Sequence, residues 1–282
     1  MMKVMTPALP SIDLVGEHIR DVSARLIEPR WRTLTDGDIS EKSPGDLVTV
    51  ADIEAERALT EVFARLTPGA VIVGEEAVAA EPGLADRLAG AEIAWTIDPI
   101  DGTANFVAGS ADYGIMVSIV VSGETVMAWI YLPATDTMVC AERGAGTRRN
   151  QTVVHNNDQA DQTSDLVAVL KTRYLSADAR HQVEISAPKL RAHSAGTMCA
   201  ATDYDNVINA ETDFILWGIT HAWDHAPGCL ILEETGGKVA RLDGSTYMPG
   251  DGGFGLLVAR GPQTWAVARH QFLAELTSPL QP

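Results

Sequence analysis

Two amphipathic segments precede the first β-like stretches of the chain. Between residues 11 and 28, apolar side chains recur every three or four positions and predict a helix that Pro29 ends: Ile12, Val15, Ile19, Val22 and Leu26. The stretch DLVTVADIEAERALTEVFARL, residues 46–66, predicts a short extended piece leading into a helix near Asp52. Pro68 and Gly69 end that second helix.

The next segment favours β-strands. AVIVGEE, residues 70–76, predicts a short strand that ends in acids, and EIAWTIDPIDG, residues 92–102, predicts a strand broken by Pro99. Residues 113–146 predict an antiparallel meander with turns at Ser122-Gly123 and Pro133-Ala134. We therefore assign residues 1–150 to an α+β half.

After about residue 165 the pattern alternates between strands and helices. Strands are expected in DLVAVLK (165–171), KLRAHS (189–194), DFILWG (213–218) and GFGLLVA (253–259). Helices are expected near residues 177–186, from about Thr197, in AWDHAPGCLILEETGG (222–237) and after Pro262. Such alternation is typical of a parallel sheet, so residues 151–282 are predicted to form an α/β half. The fold class is α/β.

Composition and charge argue against some classes of partner and indicate a cellular compartment. The 282 residues are 46% hydrophobic, so they can form a sizeable core, and they carry a net charge of −17. The acidity argues against a nucleic acid polymer or an anionic membrane as partner. We find no stretch of about 20 apolar residues and no signal peptide. The three cysteines are far apart, which is typical of a reducing compartment, and we expect a cytoplasmic protein.

The stretch DPIDGT places Asp98 and Asp101 on either side of a proline and follows them with Gly102 and Thr103. Pro99 bends the backbone and leaves the carbonyl of Ile100 free. Two carboxylates and one carbonyl are hard oxygen ligands that suit Mg²⁺. On its own, however, the Asp-Pro pair favours an ordinary turn with an Asp N-cap, which is common in any protein.

Three further acidic stretches strengthen the case for a metal site. They contribute Glu75 and Glu76 after a strand, Asp46 and Asp52 before and in a helix, and Asp224 at another helix start. The alternative is that Asp52 and Asp224 only cap their helices. From the residues alone, both interpretations stay open.

In this order the stretches resemble the inositol monophosphatase family of Mg²⁺-dependent, lithium-sensitive phosphatases. The similarity rests on KSPGDLVTVAD (42–52), GEE (74–76), DPIDGTANF (98–106), WDHAPGCLILEETGG (223–237) and, more weakly, SAGTMCAA (194–201). The resemblance implies a layered αβαβα sandwich of the inositol monophosphatase/fructose-1,6-bisphosphatase type. It also implies a small-molecule phosphate ester as substrate, two or three Mg²⁺ per site and a homodimer.

The resemblance also implies roles for individual residues. Glu75, Asp98 and the Ile100 carbonyl would hold one metal. A second would be held by Asp98, Asp101 and Asp224. Thr103 and Asp52 would act with Glu75 in catalysis by orienting the attacking water. The implied substrate-binding residues are Gly102, Thr103, Gly196, Thr197 and Trp217. Cys199 is interpreted as structural. Lys42 is interpreted as a solvated loop residue, although the family often has a lysine there near the metal site. His221 and His225 are interpreted as surface residues or as neighbours of the metal ligands.

Two departures leave the substrate open. Ala108 stands where the family often has a polar residue, and Trp217, seven positions before Asp224, stands where an acid contacts inositol hydroxyls. An indole cannot replace those carboxylate hydrogen bonds, so we expect Trp217 to pack under the site or stack on a ring. Three hypotheses follow. The first is an inositol, polyol or sugar phosphatase. The second is a histidinol-phosphate phosphatase, fructose-1,6-bisphosphatase or 3′-phosphoadenosine nucleotidase. The third is a metal-dependent regulatory protein with little turnover.

Overall fold

A computed structural model describes residues 9–251, 255–274 and 276. Helices occupy α1 (Ile12–Val22), α2 (Val50–Leu66), α3 (Glu75–Ala80), α4 (Thr103–Val107), α5 (Ala177–Ser186), α6 (Ala200–Ile208), α7 (Ala222–Glu234) and α8 (Pro262–Val267). Strands of the first half are β1 (Ile39–Ser43), β2 (Asp46–Thr49), β3 (Val71–Gly74), β4 (Ile93–Asp101), β5 (Gly114–Val121), β6 (Glu124–Leu132), β7 (Thr137–Glu142), β8 (Gly146–Arg149) and β9 (Thr152–Val154). The others are β10 (Val167–Lys171), β11 (Ala192–Ser194), β12 (Phe214–Trp217), β13 (Lys238–Arg241) and β14 (Leu256–Ala259).

Two large sheets organise the chain. Strands β3 to β9 form a seven-stranded sheet in sequence order, antiparallel except for the parallel pair β3–β4. The second sheet has the order β11-β10-β12-β14-β13. Strands β1 and β2 form a separate hairpin whose second strand leads directly into α2.

Three apolar clusters fill the spaces between the layers and define their order. One joins α1 and α2 to the seven-stranded sheet around Phe63, Trp95 and Trp129. Another joins the two sheets through α6 and α7, around Tyr204 and Leu230. The third packs α5 and α8 on the far face of the five-stranded sheet. The predicted αβαβα sandwich is confirmed.

The five-stranded sheet corrects one expectation. β10 pairs in parallel with β11 and β12, as predicted for an α/β half. β14 is antiparallel to both β12 and β13, so the sheet is mixed. The strand β13 was not predicted, because Lys238–Arg241 follows the glycine stop of α7 directly and reads as a continuation of that loop. Part of GFGLLVA, residues 253 and 254, lies outside the described residues.

Other boundaries shift for local reasons. The first helix ends at Val22 and continues as a wider π turn at residues 23–27 and a 3₁₀ turn at residues 28–30. The helix expected from about Thr197 begins at Ala200, because Cys199 has extended backbone dihedrals and caps it. Pro99 does not break its strand: β4 runs on to Asp101, and a bulge between Asp98 and Asp101 absorbs the irregularity. None of the described helices is long and apolar enough to cross a membrane.

Candidate active site

The bulge at the end of β4 presents two buried carboxylates at one edge of the sheet. Asp98 lies opposite Met116, and Asp101 lies opposite Gly114. Asp98 is 2% exposed and Asp101 is 9% exposed. A bulge re-aims side chains that would otherwise alternate strictly between the two faces of a strand.

Glu75, Asp98 and Asp224 come together although they lie far apart in the sequence. Each offers one oxygen, and these three oxygens lie within 4.8 Å of one another. Glu75 is the first residue of α3, and Asp224 is in the first turn of α7. Burial and the neighbouring Glu75 raise the pKa of Asp98 and of Asp224 well above the usual range. The arrangement therefore needs either protons or a cation to offset the repulsion.

A hard divalent cation fits this donor set. The Oδ1 atom of Asp98 is buried and has no hydrogen-bond partner among the described residues, which is unusual for a carboxylate oxygen. All three donors are carboxylate oxygens, the ligand type that Mg²⁺ prefers. The Ile100 carbonyl, expected as a further ligand, accepts a hydrogen bond from the Thr103 hydroxyl at 3.0 Å.

Asp101 lines the same cleft but does not join the three-carboxylate group. Its Oδ2 accepts hydrogen bonds from the Ala201 amide at 2.5 Å and from the Cys199 thiol at 3.1 Å. These contacts tie the end of β4 to the first turn of α6. Burial raises the pKa of Asp101 to about 6 and that of Cys199 well above its usual value, so Cys199 is not an activated nucleophile.

Lys42 is part of this site and not a solvated loop residue. Its Nζ lies 2.5 Å from Oε1 of Glu75 and 3.0 Å from Oε1 of Glu76, and its side chain is 12% exposed. The two glutamates raise the pKa of Lys42 further above its ordinary value. Lys42 therefore supplies one fixed positive charge beside the carboxylate group.

Glu56 is a residue that the sequence analysis missed. Its carboxylate is buried in α2 and accepts hydrogen bonds from the amides of Glu76 and Ala77, each at 2.8 Å. It thereby caps α3, the helix that begins with Glu75. A Cβ on Gly74 would collide with the Glu56 carboxyl group, which explains the glycine of the GEE motif. No local sequence pattern predicts this contact, because 20 residues separate Glu56 from Glu76.

Asp52 and Thr103 form the predicted pair. The Thr103 hydroxyl lies 3.1 Å from Oδ1 of Asp52, with the Ile100 carbonyl as a second acceptor. The amide and hydroxyl of Thr49 donate to the other oxygen of Asp52 at 2.9 and 2.5 Å, so the carboxylate is fixed in a capping box. Burial raises the pKa of Asp52 to about 6.

Gly196 and Thr197 belong to a second polar cluster. The Thr197 amide donates to Oδ1 of the fully buried Asp203 at 2.9 Å, and Lys171 Nζ lies 2.6 Å from Asp203 Oδ2. Gly196 has φ +80°, and a Cβ there would lie within 2.8 Å of atoms of both Asp203 and Lys171. Neither Gly196 nor Thr197 lines the cleft around the carboxylate group, although their neighbours Ala195 and Met198 do.

Two neighbouring cavities adjoin the carboxylates and share part of their lining. A cavity of about 620 Å³ contains the Glu75–Asp98–Asp224 side and borders Gly102 and Thr103. A neighbouring cavity of about 410 Å³ leads toward Lys171 and Trp217. Both are bordered by Asp101, Asp224 and His221. Gly102 has φ +83°, and a Cβ there would meet the Asp112 carbonyl at 2.9 Å, so only glycine fits this turn.

Trp217 packs beneath the smaller cavity. Its ring makes an edge contact with His225 at 4.6 Å and stacks on Tyr204 at 5.7 Å, and its side chain is largely buried. His225 is also buried, lies 3.1 Å from the Tyr204 hydroxyl through Nδ1, and has its pKa lowered to about 3 by burial. His221 stacks on Trp223 at the start of α7. Neither histidine is among the three residues that come together as cation ligands.

Comparison with known proteins agrees with the fold. The model of the inositol monophosphatase family matches residues 13–276. The inositol-1-monophosphatase of Bacillus subtilis is 30% identical over 241 residues, which is 83% of this chain and 86% of the relative. The Nus factor SuhB of Vibrio cholerae is 30% identical over 93% of both chains. The structure of inositol monophosphatase II from Staphylococcus aureus superposes with a TM-score of 0.77, at 18% identity and 93% coverage of both chains.

The fold and the cluster of buried carboxylates define a layered α/β protein with a candidate cation site. The family match and the relatives then identify the chain as a member of the inositol monophosphatase family.

Proposed function

We propose that this protein hydrolyses small-molecule phosphate monoesters with Mg²⁺. The observation that carries the proposal is the group of Glu75, Asp98 and Asp224 beside the Asp52–Thr103 pair. Relatives named inositol-1-monophosphatase support the same activity. Glu75, Asp98 and Asp224, with Asp101 and the Ile100 carbonyl nearby, would hold the cation. Mg²⁺ held there would offset the charge of the phosphate and acidify a nearby water.

The chain's own residues would orient the attacking water. When the Thr103 hydroxyl donates its proton to Asp52, its oxygen is left to accept a hydrogen bond from water. That contact aims a lone pair of the water at phosphorus. The new P–O bond forms as the ester P–O bond breaks, and the alcohol leaves with a proton. The amides of Gly102 and Thr103 are proposed to hold the phosphate oxygens.

The acidic pocket would also need the cation in order to bind a phosphate. Without it, a phosphate dianion would approach Asp98, Asp101 and Asp224 against like charges. With it, those carboxylates become ligands. We further propose the homodimer implied by the family resemblance and the cytoplasmic location expected from the scattered cysteines.

The test is phosphate release from glycerol 2-phosphate. We expect turnover with Mg²⁺, none after chelation, and a loss of at least a hundredfold in Asp98→Asn and in Asp101→Asn. Asp86→Asn, which changes an exposed aspartate outside the cleft, is the matched control and should behave as the wild type. Full activity in chelator would refute the metal-dependent mechanism, and full activity in Asp98→Asn would refute the ligand assignment.

A further inference from the structure

The smaller cavity is bordered by three basic side chains in a chain of net charge −17. Lys171 is the last residue of β10, Arg173 lies in the loop that follows, and Arg180 lies in α5. This cavity of about 410 Å³ opens directly beside Asp101 and Asp224. A molecule whose phosphate sits at the carboxylate group would therefore extend its alcohol portion toward these basic residues.

The charge of Lys171 is already compensated. Its Nζ lies 2.6 Å from the fully buried carboxylate of Asp203, and it also lies 5.3 Å from the centre of the Trp217 ring. Lys171 is thus bound within the protein and is a weak candidate for binding a ligand anion.

Arg173 and Arg180 differ from most arginines of the chain. Neither forms an ion pair with any carboxylate among residues 9–251, 255–274 and 276. In the same part of the protein, ten other arginines do so: Arg20, Arg25, Arg30, Arg57, Arg143, Arg148, Arg149, Arg191, Arg241 and Arg260. Acids outnumber bases by 38 to 21, so two arginines without an ion pair beside the smaller cavity are a local excess of positive charge, and Arg173 also borders the larger cavity that holds the carboxylates.

Hydrogen bonds join the loop that carries Arg173 to the helix α5 that carries Arg180. Arg180 Nη2 donates to the carbonyl of Arg173 at 3.2 Å and to that of Leu175 at 3.4 Å. Both acceptors are neutral, so the positive charge of Arg180 remains. The guanidinium of Arg173 makes no hydrogen bond to a described residue, and its carbon lies 5.4 Å from the centre of the Tyr174 ring. A guanidinium has five N–H donors, so most of the donors of this pair are open.

We infer that the smaller cavity binds a second anionic group of the substrate through Arg173 and Arg180. The preferred substrate is then a phosphate monoester whose alcohol portion carries a carboxylate or another phosphate. Arginine suits this task because its planar fork matches both kinds of oxyanion. The inference rests on the proposed phosphatase function and specifies its substrate class.

Two pairs of matched esters test the inference. 2-Phosphoglycerate differs from glycerol 2-phosphate only in having a carboxylate in place of a hydroxymethyl group. Fructose 1,6-bisphosphate differs from fructose 1-phosphate by a phosphate at greater distance. With saturating Mg²⁺, we expect kcat/KM for the ester with the second anionic group to exceed that of its match by about tenfold or more in at least one pair, mainly through KM.

Variants link that preference to the arginines. In Arg173→Gln the ratio within the preferred pair should fall several-fold, and in the double variant with Arg180→Gln it should fall to about one. Arg173→Lys should retain an intermediate ratio, because it keeps the charge without the planar fork. Arg65→Gln is the control: it removes an exposed arginine about 20 Å along α2 from Asp52, and its ratio should equal that of the wild type.

The outcomes separate the two proposals. If the wild type hydrolyses none of the four esters, the phosphatase function fails and the inference fails with it. If it hydrolyses them but both ratios are near one, only the second-anion inference is overturned. A preference that persists in the double variant also overturns it. Since Arg180→Gln also removes two loop hydrogen bonds, Arg173→Gln, which removes none, is the deciding single variant.

Discussion

Glu56→Gln should loosen the start of α3 while preserving the shape of the side chain. The Glu56 carboxylate accepts two hydrogen bonds, from the amides of Glu76 and Ala77. A glutamine can accept one of them, but it directs its NH₂ group at the other amide. One amide at the helix start is then left facing a donor, and the charge that favoured the positive end of the helix is lost.

The magnitude follows from these two losses. Leaving a buried donor unsatisfied costs about 1–3 kcal/mol, and a carboxylate at a helix N-terminus contributes about 0.3–1 kcal/mol. Burial raises the pKa of Glu56, so the ionised carboxylate carries a desolvation cost that glutamine avoids. We therefore expect the free energy of unfolding to fall by about 1.5–2 kcal/mol, which is in the lower part of the range given by the two contributions together. For a chain of this size that corresponds to a fall in Tm of about 3–8 °C.

The same variant should impair the metal site, because Glu75 is the first residue of the loosened helix. We expect the Mg²⁺ concentration for half-maximal activity to rise several-fold. The assays are thermal and urea unfolding in chelator, and phosphate release over a range of Mg²⁺ concentrations. Gly74→Ala should give the same two effects, since its new methyl group would displace the Glu56 carboxyl.

Glu61→Gln is the matched control on α2. Glu61 is exposed and pairs with Arg57 at 3.2 Å, so its loss should cost below about 0.5 kcal/mol and leave the Mg²⁺ dependence unchanged. The reasoning would be refuted if Glu56→Gln unfolded within 0.5 kcal/mol of the wild type and kept its Mg²⁺ dependence.

Three further predictions follow from the site. Thr103→Ala and Asp52→Asn should each lower kcat by about 10²–10⁴-fold, and the double variant should lose less than the product of the two; independent losses would show that they do not act as a pair. Because Trp217 cannot provide carboxylate hydrogen bonds, kcat/KM for inositol 1-phosphate should exceed that for glycerol 2-phosphate by about tenfold at most, and a thousandfold preference would contradict this. Asp203→Ala should destabilise the protein by about 1.5–3 kcal/mol in urea unfolding, because it removes the charge-assisted contact with the half-buried Lys171; a change below about 0.5 kcal/mol would count against that ion pair.

Local sequence patterns predicted most elements, and the family resemblance implied the residues of the acidic cluster. Asp98, Asp101 and Asp224 stand in short motifs whose neighbours, Pro99 and a helix start, constrain the backbone. The structure adds contacts between residues that lie far apart in the sequence, and local patterns do not predict such contacts. Glu56 caps a helix 20 residues away, and no periodicity records that contact.

The sequence pattern also did not predict the direction of β14 or the bulge in β4. The apolar run of β14 indicates a buried strand, but it does not indicate whether the strand is parallel to β12. That direction depends on the short connection from α7 through β13, which places β13 and β14 side by side as antiparallel neighbours. Pro99 was expected to break β4, whereas the bulge lets the strand continue, because the proline falls where the ladder is already irregular.

The three carboxylates of the candidate cation site come from two layers of the sandwich. Glu75 and Asp98 belong to the seven-stranded sheet and its edge helix, whereas Asp224 belongs to α7, between the two sheets. The site consequently exists only in chains whose layers have already docked, and an unfolded chain has no equivalent set of ligands. By mass action, a cation held by all three residues at a hundred times its dissociation constant adds about 2.7 kcal/mol to the free energy of unfolding. Mg²⁺ bound by these three residues would therefore also stabilise the packing of the layers against each other. A variant in which either half no longer packs correctly should have a Tm that does not change when Mg²⁺ is added.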